Sequence, residues 1–194
     1  MNNNIGFKQY LENNYENSIF DMALNEPSPW VFHLHGQQIV QARLVQNSTY
    51  SVCLSSDAQQ EQEVNKTFIK LVYPAAHAGA VTKLIKTDSK VQRQGLEPIV
   101  SPKQRHHIKN KTLFPLMQDR EVLFFTLLEG EIIRGVVTAF SRYDLTVGLK
   151  GGIPVTVLRH GILDVRDKKG RCYLKTHVKG VFRHPFAMKG DDQA

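Results

Sequence analysis

The chain of 194 residues is poor in cysteine, with only two, and has a single tryptophan and no long apolar run. Cys53 and Cys172 belong to no C-x-x-C pair, so they supply neither a disulfide framework nor a zinc site and read as inert thiols. The longest apolar stretches, Leu123 to Leu128 and Ile132 to Val137, are stopped by Glu129 and interrupted by Arg134, well short of the roughly 20 residues a membrane helix needs. The start, MNNNIGF, lacks the basic residues and apolar core of a secretory signal, so the expected location is the cytoplasm, away from membranes. There is no P-loop, no GxGxxG and no nucleophile elbow, hence no expectation of an enzyme or a cofactor. His106 and His107, beside Arg105 and Lys109 without a nearby carboxylate or thiol, do not read as a metal site.

What is abundant is unevenly placed positive charge. The formal net charge is +7, yet residues 1–82 carry more carboxylates than cations, while residues 83–111 hold eight lysines and arginines against two carboxylates. A second basic segment follows residue 164, with Lys168, Lys169, Arg171, Lys175, Lys179 and Arg183. Such segments suit phosphate attraction through counterion release. They equally suit a merely solubilising role.

Residues 5–24 place Phe7, Leu11, Tyr15, Ile19 and Met22 at helical spacing and predict one amphipathic helix. From Pro27 the period falls to two. WVFHLH, QQIVQARLV and TYSVCLSS read as strands, DAQQEQEVNK as an acidic, glutamine-rich stretch, and TFIKLVY and AGAVTKLI as strands joined by a turn containing His77. Residues 85–111, with Gly95, Pro98 and Pro102, read as a basic linker. The second half repeats the plan: a short helix at LFPLMQDRE, then strands at VLFFTLL, EIIRGVVTAF, DLTVGL, IPVTVL and GILDVRD, with Glu129-Gly130 and Gly151-Gly152 at reversals. Ile133, Val137 and Ala139 are expected on one face of the second of these strands. Five such short strands cannot bury both faces of a flat sheet, so a bent sheet closing into a small barrel is expected, with Gly135 at the bend.

The halves can be laid on each other at an offset of 93 positions, which puts Ala42 on Gly135, Leu44 on Val137, Ser48 on Ser141, Tyr50 on Tyr143, Val52 on Leu145 and Leu54 on Val147. Further on, LVYPAAHAGAV is matched to VTVLRHGILDV by their histidine-containing turns. The resulting organisation is a degenerate first domain with its helix at 1–84, a linker at 85–111, a better preserved domain at 112–167 and a basic tail at 168–194.

The stretch LLEGEIIRGVVTAFSRYDLTVGL followed by VLRHGILDV resembles the Hfq branch of the Sm-like family. Glu129-Gly130 stands where that family has an Asn-Gly turn, Gly135 at its strand bend, Phe140-Ser141-Arg142-Tyr143 at its Phe-Asp-x-Phe turn and Leu158-Arg159-His160 at its Tyr-Lys-His turn. The resemblance implies a mainly β chain of two tandem Sm-like, SH3-like, five-stranded bent barrels, each with an N-terminal helix. It also implies a ring built by strand edges, with three chains closing a pseudo-hexamer.

By the same resemblance, single-stranded RNA would be bound at a basic pore. Tyr143 takes the place of the stacking aromatic, Arg159 and His160 that of the Lys-His pair, and Arg142 that of a glutamine, which puts a preference for uridine in question. The opposite face lacks its aromatic, since Thr126 stands there, and the rim of the helix end keeps only Arg120. In the first half Tyr50 retains the aromatic position and His77 reaches the histidine position only after a shift of two residues. Two functions follow: an RNA-binding post-transcriptional regulator, or a ring-forming assembly or protein-interaction module that has lost its RNA face. Tyr143 covering a barrel end and Arg159-His160 as a solvated turn are the plainer readings of the same residues.

Overall fold

Apolar residues at every second position, with β-branched side chains among them, make strands the commonest regular structure among the described residues. The structure, a computed structural model, describes residues 6–56 and 60–174. The basic tail beyond residue 174, with Lys175, Lys179 and Arg183, lies outside the described residues. In chain order the elements are α1 (Phe7–Asn14), α2 (Ile19–Asn25), β1 (Trp30–Leu34), β2 (Ile39–Asn47), β3 (Ser51–Ser55), β4 (Glu61–Asn65) and β5 (Ile69–Pro74). After these come α3 (Ala78–Leu84), β6 (Lys86–Thr87), α4 (Ser89–Gln92), α5 (Asn110–Gln118), β7 (Val122–Leu127), β8 (Glu131–Phe140), β9 (Asp144–Gly148), β10 (Pro154–Leu158) and β11 (Ile162–Asp167). No helix among the described residues is long and apolar enough to cross a membrane.

All eleven strands join one antiparallel sheet, in the order β11-β7-β8-β9-β10-β5-β1-β2-β3-β4, with the short β6 on β8. The order is a repeat. In each half the last strand lies beside the first, and the others follow in sequence. The offset of 93 positions holds down to the irregularities: the ladder slips between Leu44 and Gln46 in β2, and between Val137 and Ala139 in β8. Likewise Leu34 faces Ile69, and Leu127 faces Ile162.

The halves are fused where β10 pairs with β5, Thr156 opposite Val72 and Val157 opposite Leu71. This places β1 and β5 in the middle of the sheet, so both of their faces are buried. Trp30, Phe32 and Ile69 enter one apolar cluster, while Val31, Leu71 and Tyr73 enter the other with Phe125, Leu145 and Val157. Each large side chain so enclosed contributes about 1.5–3 kcal/mol. Beneath the fused edge, Lys70 has no exposed surface and donates to Glu129 and Glu131 of the other half. Glu129 also accepts from the backbone N–H groups of Gly36 and Gln37, in the β1–β2 turn.

Several sequence expectations change. The single helix over 5–24 is two, because Ser18 caps a new start by accepting from the Phe20 N–H. The break resets the phase: Tyr10, Ile19, Phe20 and Ala23 are buried, and Met22 is exposed. The acidic stretch contains a strand, β4, in which only Val64 is buried. The segment expected as a last strand, AGAVTKLI, is helix α3, with Val81 as its buried residue. Finally, the slip in β8 turns Phe140 inward and leaves Ala139 half-buried, so Ala139 does not share the face of Ile133 and Val137. Gly135 itself has no room for a side chain, since a Cβ there would lie 2.5 Å from the Gly148 carbonyl oxygen.

The 85–111 segment, expected as an aperiodic linker, is folded against the second half. Lys86 and Thr87 pair with β8, Asp88 N–H donates to the Gly130 carbonyl, and Ile108 is buried in the core.

Candidate functional site

The turns that follow β2 and β8 present the two tyrosines singled out by sequence. Tyr50 is 78% exposed and Tyr143 is 55% exposed. A large aromatic ring left in water at two equivalent positions contrasts with those described aromatics that lie within or against the core. Each turn is tied down in the same way. Ser48 N–H donates to Ser51 O and Ser141 N–H to Asp144 O; Lys66 N–H donates to Tyr50 O and Arg159 N–H to Tyr143 O. The Lys66 ammonium then reaches Ser48 O, as the Arg159 guanidinium reaches Ser141 O at 2.7 Å.

Lys66 is therefore the first-half counterpart of Arg159, and Thr67 that of His160. His77 is not. It ends the short helical turn Ala75–His77 beyond β5, because the strand before the basic turn is β4 rather than TFIKLVY. Matching the halves by their histidines passes over Lys66, whereas the constant offset of 93 sets it on Arg159.

The second-half site is more enclosed. Arg159 donates to Ile108 O, to Asn110 Oδ1 and to Ser141 O, and its guanidinium lies 5.8 Å from the centre of the Phe140 ring. Burial lowers its pKa to about 10, so it remains charged at neutral pH. His160 is turned inward, its Nε2–H donating to Ile69 O at 2.8 Å, and burial depresses its pKa to about 4. At neutral pH that imidazole is uncharged and already bonded. Asp144 accepts from Ser141 Oγ and from the Ile19 N–H at the start of α2, and burial raises its carboxyl pKa.

Next to this turn is an open cavity of about 500 Å³ between α1 and the start of α5. Its charged wall comprises Arg142, Arg159, Lys109 and Lys111, with His107 also in the lining, and Phe7 and Leu11 supply apolar surface. Two of these cations, Lys109 and Lys111, flank the start of α5, which is capped by no side chain. The amide groups at that helix start add partial positive charge. Arg142 belongs to the cavity lining and also lies 5.2 Å from the centre of the Tyr143 ring, while its backbone N–H donates to Tyr15 O. Of the residues named from sequence, Arg142, Tyr143 and Arg159 are thus gathered at one place. His160 is beneath them, Tyr50 is on the equivalent turn, and His77 is on neither.

No family model matches the chain, and no curated protein and no solved structure matches it either.

Proposed function

We propose that the chain binds single-stranded RNA on the Tyr143 side of the basic cavity, as an Hfq-like regulator built from two tandem Sm-like barrels. The observation that carries this reading is the exposed Tyr143 ring with Arg142 against it, Arg142 itself being part of a cavity walled by Lys109, Lys111, His107 and Arg159. A base stacked on such a ring gains about 1–3 kcal/mol, and the neighbouring cations take phosphates. Tyr50 and Lys66 offer a second, less basic copy. Arg159 supports the site by fixing the turn and by charge rather than by reaching out, and His160 holds the two halves together. The repeated five-strand order supports the barrel reading, and the fused β10–β5 edge supports the ring reading, in which three chains would form six barrels.

Fluorescence anisotropy with oligo-U, oligo-A and mixed-sequence RNA at two salt concentrations tests the proposal. Salt-sensitive binding of at least one RNA is expected. A flat response with all three sinks it.

One observation favours a second reading, a ring-forming assembly or protein-interaction module without RNA. Arg159 and His160 are spent on internal hydrogen bonds. On that reading Tyr143→Ala leaves partner binding unchanged in pull-downs, and only edge-strand variants abolish it.

A further inference from the structure

The equivalence of the halves says what each outer edge of the sheet is built to meet. Inside the chain, β10 lies on the free side of β5. By the offset of 93, β4 is the counterpart of β10 and β11 that of β5. These are the two ends of the strand order. Transferring the register Thr156 with Val72 and Val157 with Leu71 sets Glu63 of one copy opposite Val165 of another, and Val64 opposite Asp164.

Among the described residues nothing pairs with the outer side of β4, but the outer side of β11 is already covered by the chain itself. After β11 the backbone reverses at Lys168–Gly170, with Gly170 at φ +81° and its N–H donating to Asp167 O. Cys172 then bridges to Arg166, Tyr173 N–H donates to Val165 O at 2.9 Å, and Asp167 N–H donates to Arg171 O. The Asp167 carboxylate holds the turn, accepting from Lys169 N–H, Arg171 N–H and the Tyr173 hydroxyl. Tyr173 and Leu174 pack on the core. Of the covered positions, Val165 corresponds to Val72, which faces Thr156 in the internal junction; carried further, the same register reaches Asp167.

We infer that the β11 edge is a docking surface for β4 of a second copy of this chain, and that residues 168–174 are a displaceable cap occupying the same backbone positions. This rests on the assembly reading above and is independent of RNA binding. Two features favour the cap over the second copy. The cap is tethered, so it acts at high effective concentration. In the transferred register Glu61 also falls opposite Asp167, and like charges facing across a strand pair repel. Charged edges of this kind deter open-ended pairing. The cap thus sets the assembly state, and its removal opens the edge.

The native mass of four proteins tests the inference: the full chain, a chain ending at Lys168, the full chain with Gly170→Val, and the Lys168-ended chain with Glu63→Pro, at an exposed position of β4. Gly170→Val strains the turn through its positive φ without meeting any neighbour, and serves if the shortened chain does not fold. The full chain is expected at the mass of one copy. The shortened and Gly170→Val chains are expected at three, and Glu63→Pro, which removes an N–H from the free side of β4, is expected to restore one. If the full and uncapped chains form the same multimer, the cap is overturned and the assembly reading stands. If the uncapped chains remain single copies, both fall together.

Discussion

Lys70, enclosed on all sides in the first half, directs its ammonium onto Oε2 of Glu129 in the second half, an oxygen that also accepts from the Gln37 N–H, while Oε1 accepts from the Gly36 N–H. Glu131 completes the group. An enclosed ion pair adds little over a well-packed apolar substitute, but deleting one partner leaves the other uncompensated, at a cost of about 3–5 kcal/mol. Lys70→Ala is therefore expected to lower unfolding free energy by roughly that amount in urea titrations. The combination Lys70→Met with Glu129→Gln and Glu131→Gln is expected to recover most of it. A single variant costing no more than the combination would show that the charges do not hold the halves together.

Gly135 and Gly79 form a contrasting pair. At Gly135 an added methyl group meets the Gly148 carbonyl oxygen at 2.5 Å and Val147 Cγ1 at 2.6 Å, whereas at Gly79, in helix α3, it meets nothing. Gly135→Ala is expected to destabilise by about 1–3 kcal/mol. Gly79→Ala is expected to be neutral or to stabilise by up to about 1 kcal/mol. Thermal melts of the two variants check the order, and equal melting temperatures would refute the close approach at the bend.

Acid should weaken the junction through its buried histidines. Burial lowers His33 and His160 to about 4, and lowers His35 in the same direction. In the unfolded chain these rings titrate near 6.5. The unfolded state therefore binds protons first as pH falls, and stability is complete above about pH 6.5 and is lost on the way to 4. The loss is on the order of 3 kcal/mol for each of His33 and His160. Urea midpoints at pH 7.5, 6 and 5 should fall in that order, and His160→Gln should flatten the trend. Unchanged midpoints would mean the rings are not enclosed as described.

The basic cavity yields separable effects. Tyr143→Ala is expected to weaken RNA binding about tenfold or more with the fold intact. Arg142→Gln should reduce the dependence of log affinity on log salt by about one. Arg159→Ala acts differently, because three oxygen acceptors lose their donor; a loss of about 2–4 kcal/mol in stability is expected. Circular dichroism alongside anisotropy separates the two. Should Arg159→Ala weaken binding without lowering the melting temperature, its internal role is refuted.

How much of this was legible in the sequence depended on burial. The strands of the second half have at least one face enclosed, and their alternation marks their positions almost to the residue. In β4, Glu61, Gln62, Glu63 and Asn65 are all exposed and Val64 alone is buried, so no apolar period existed to read. Helix α3 is short and buries only Val81, which left Ala, Val and Leu to mimic a strand. The exposed tyrosines were visible from the offset of the repeat. The enclosure of Arg159 and His160 was not, because it arises from Ile108, Asn110 and Ile69, which are distant in sequence. The cavity was hidden for the same reason: Lys109 and Lys111 come from the 85–111 segment, which only tertiary packing brings beside Arg142.

Because β5 is held by β1 on one side and by β10 on the other, the chain is woven rather than strung. A cut in the exposed stretch around Glu97 would separate the peptide without separating the fabric, for the β5–β10 seam and the Lys70 cluster span the cut. Two fragments expressed apart would each show a raw strand flank and an unpaired charge, and should find one another on mixing.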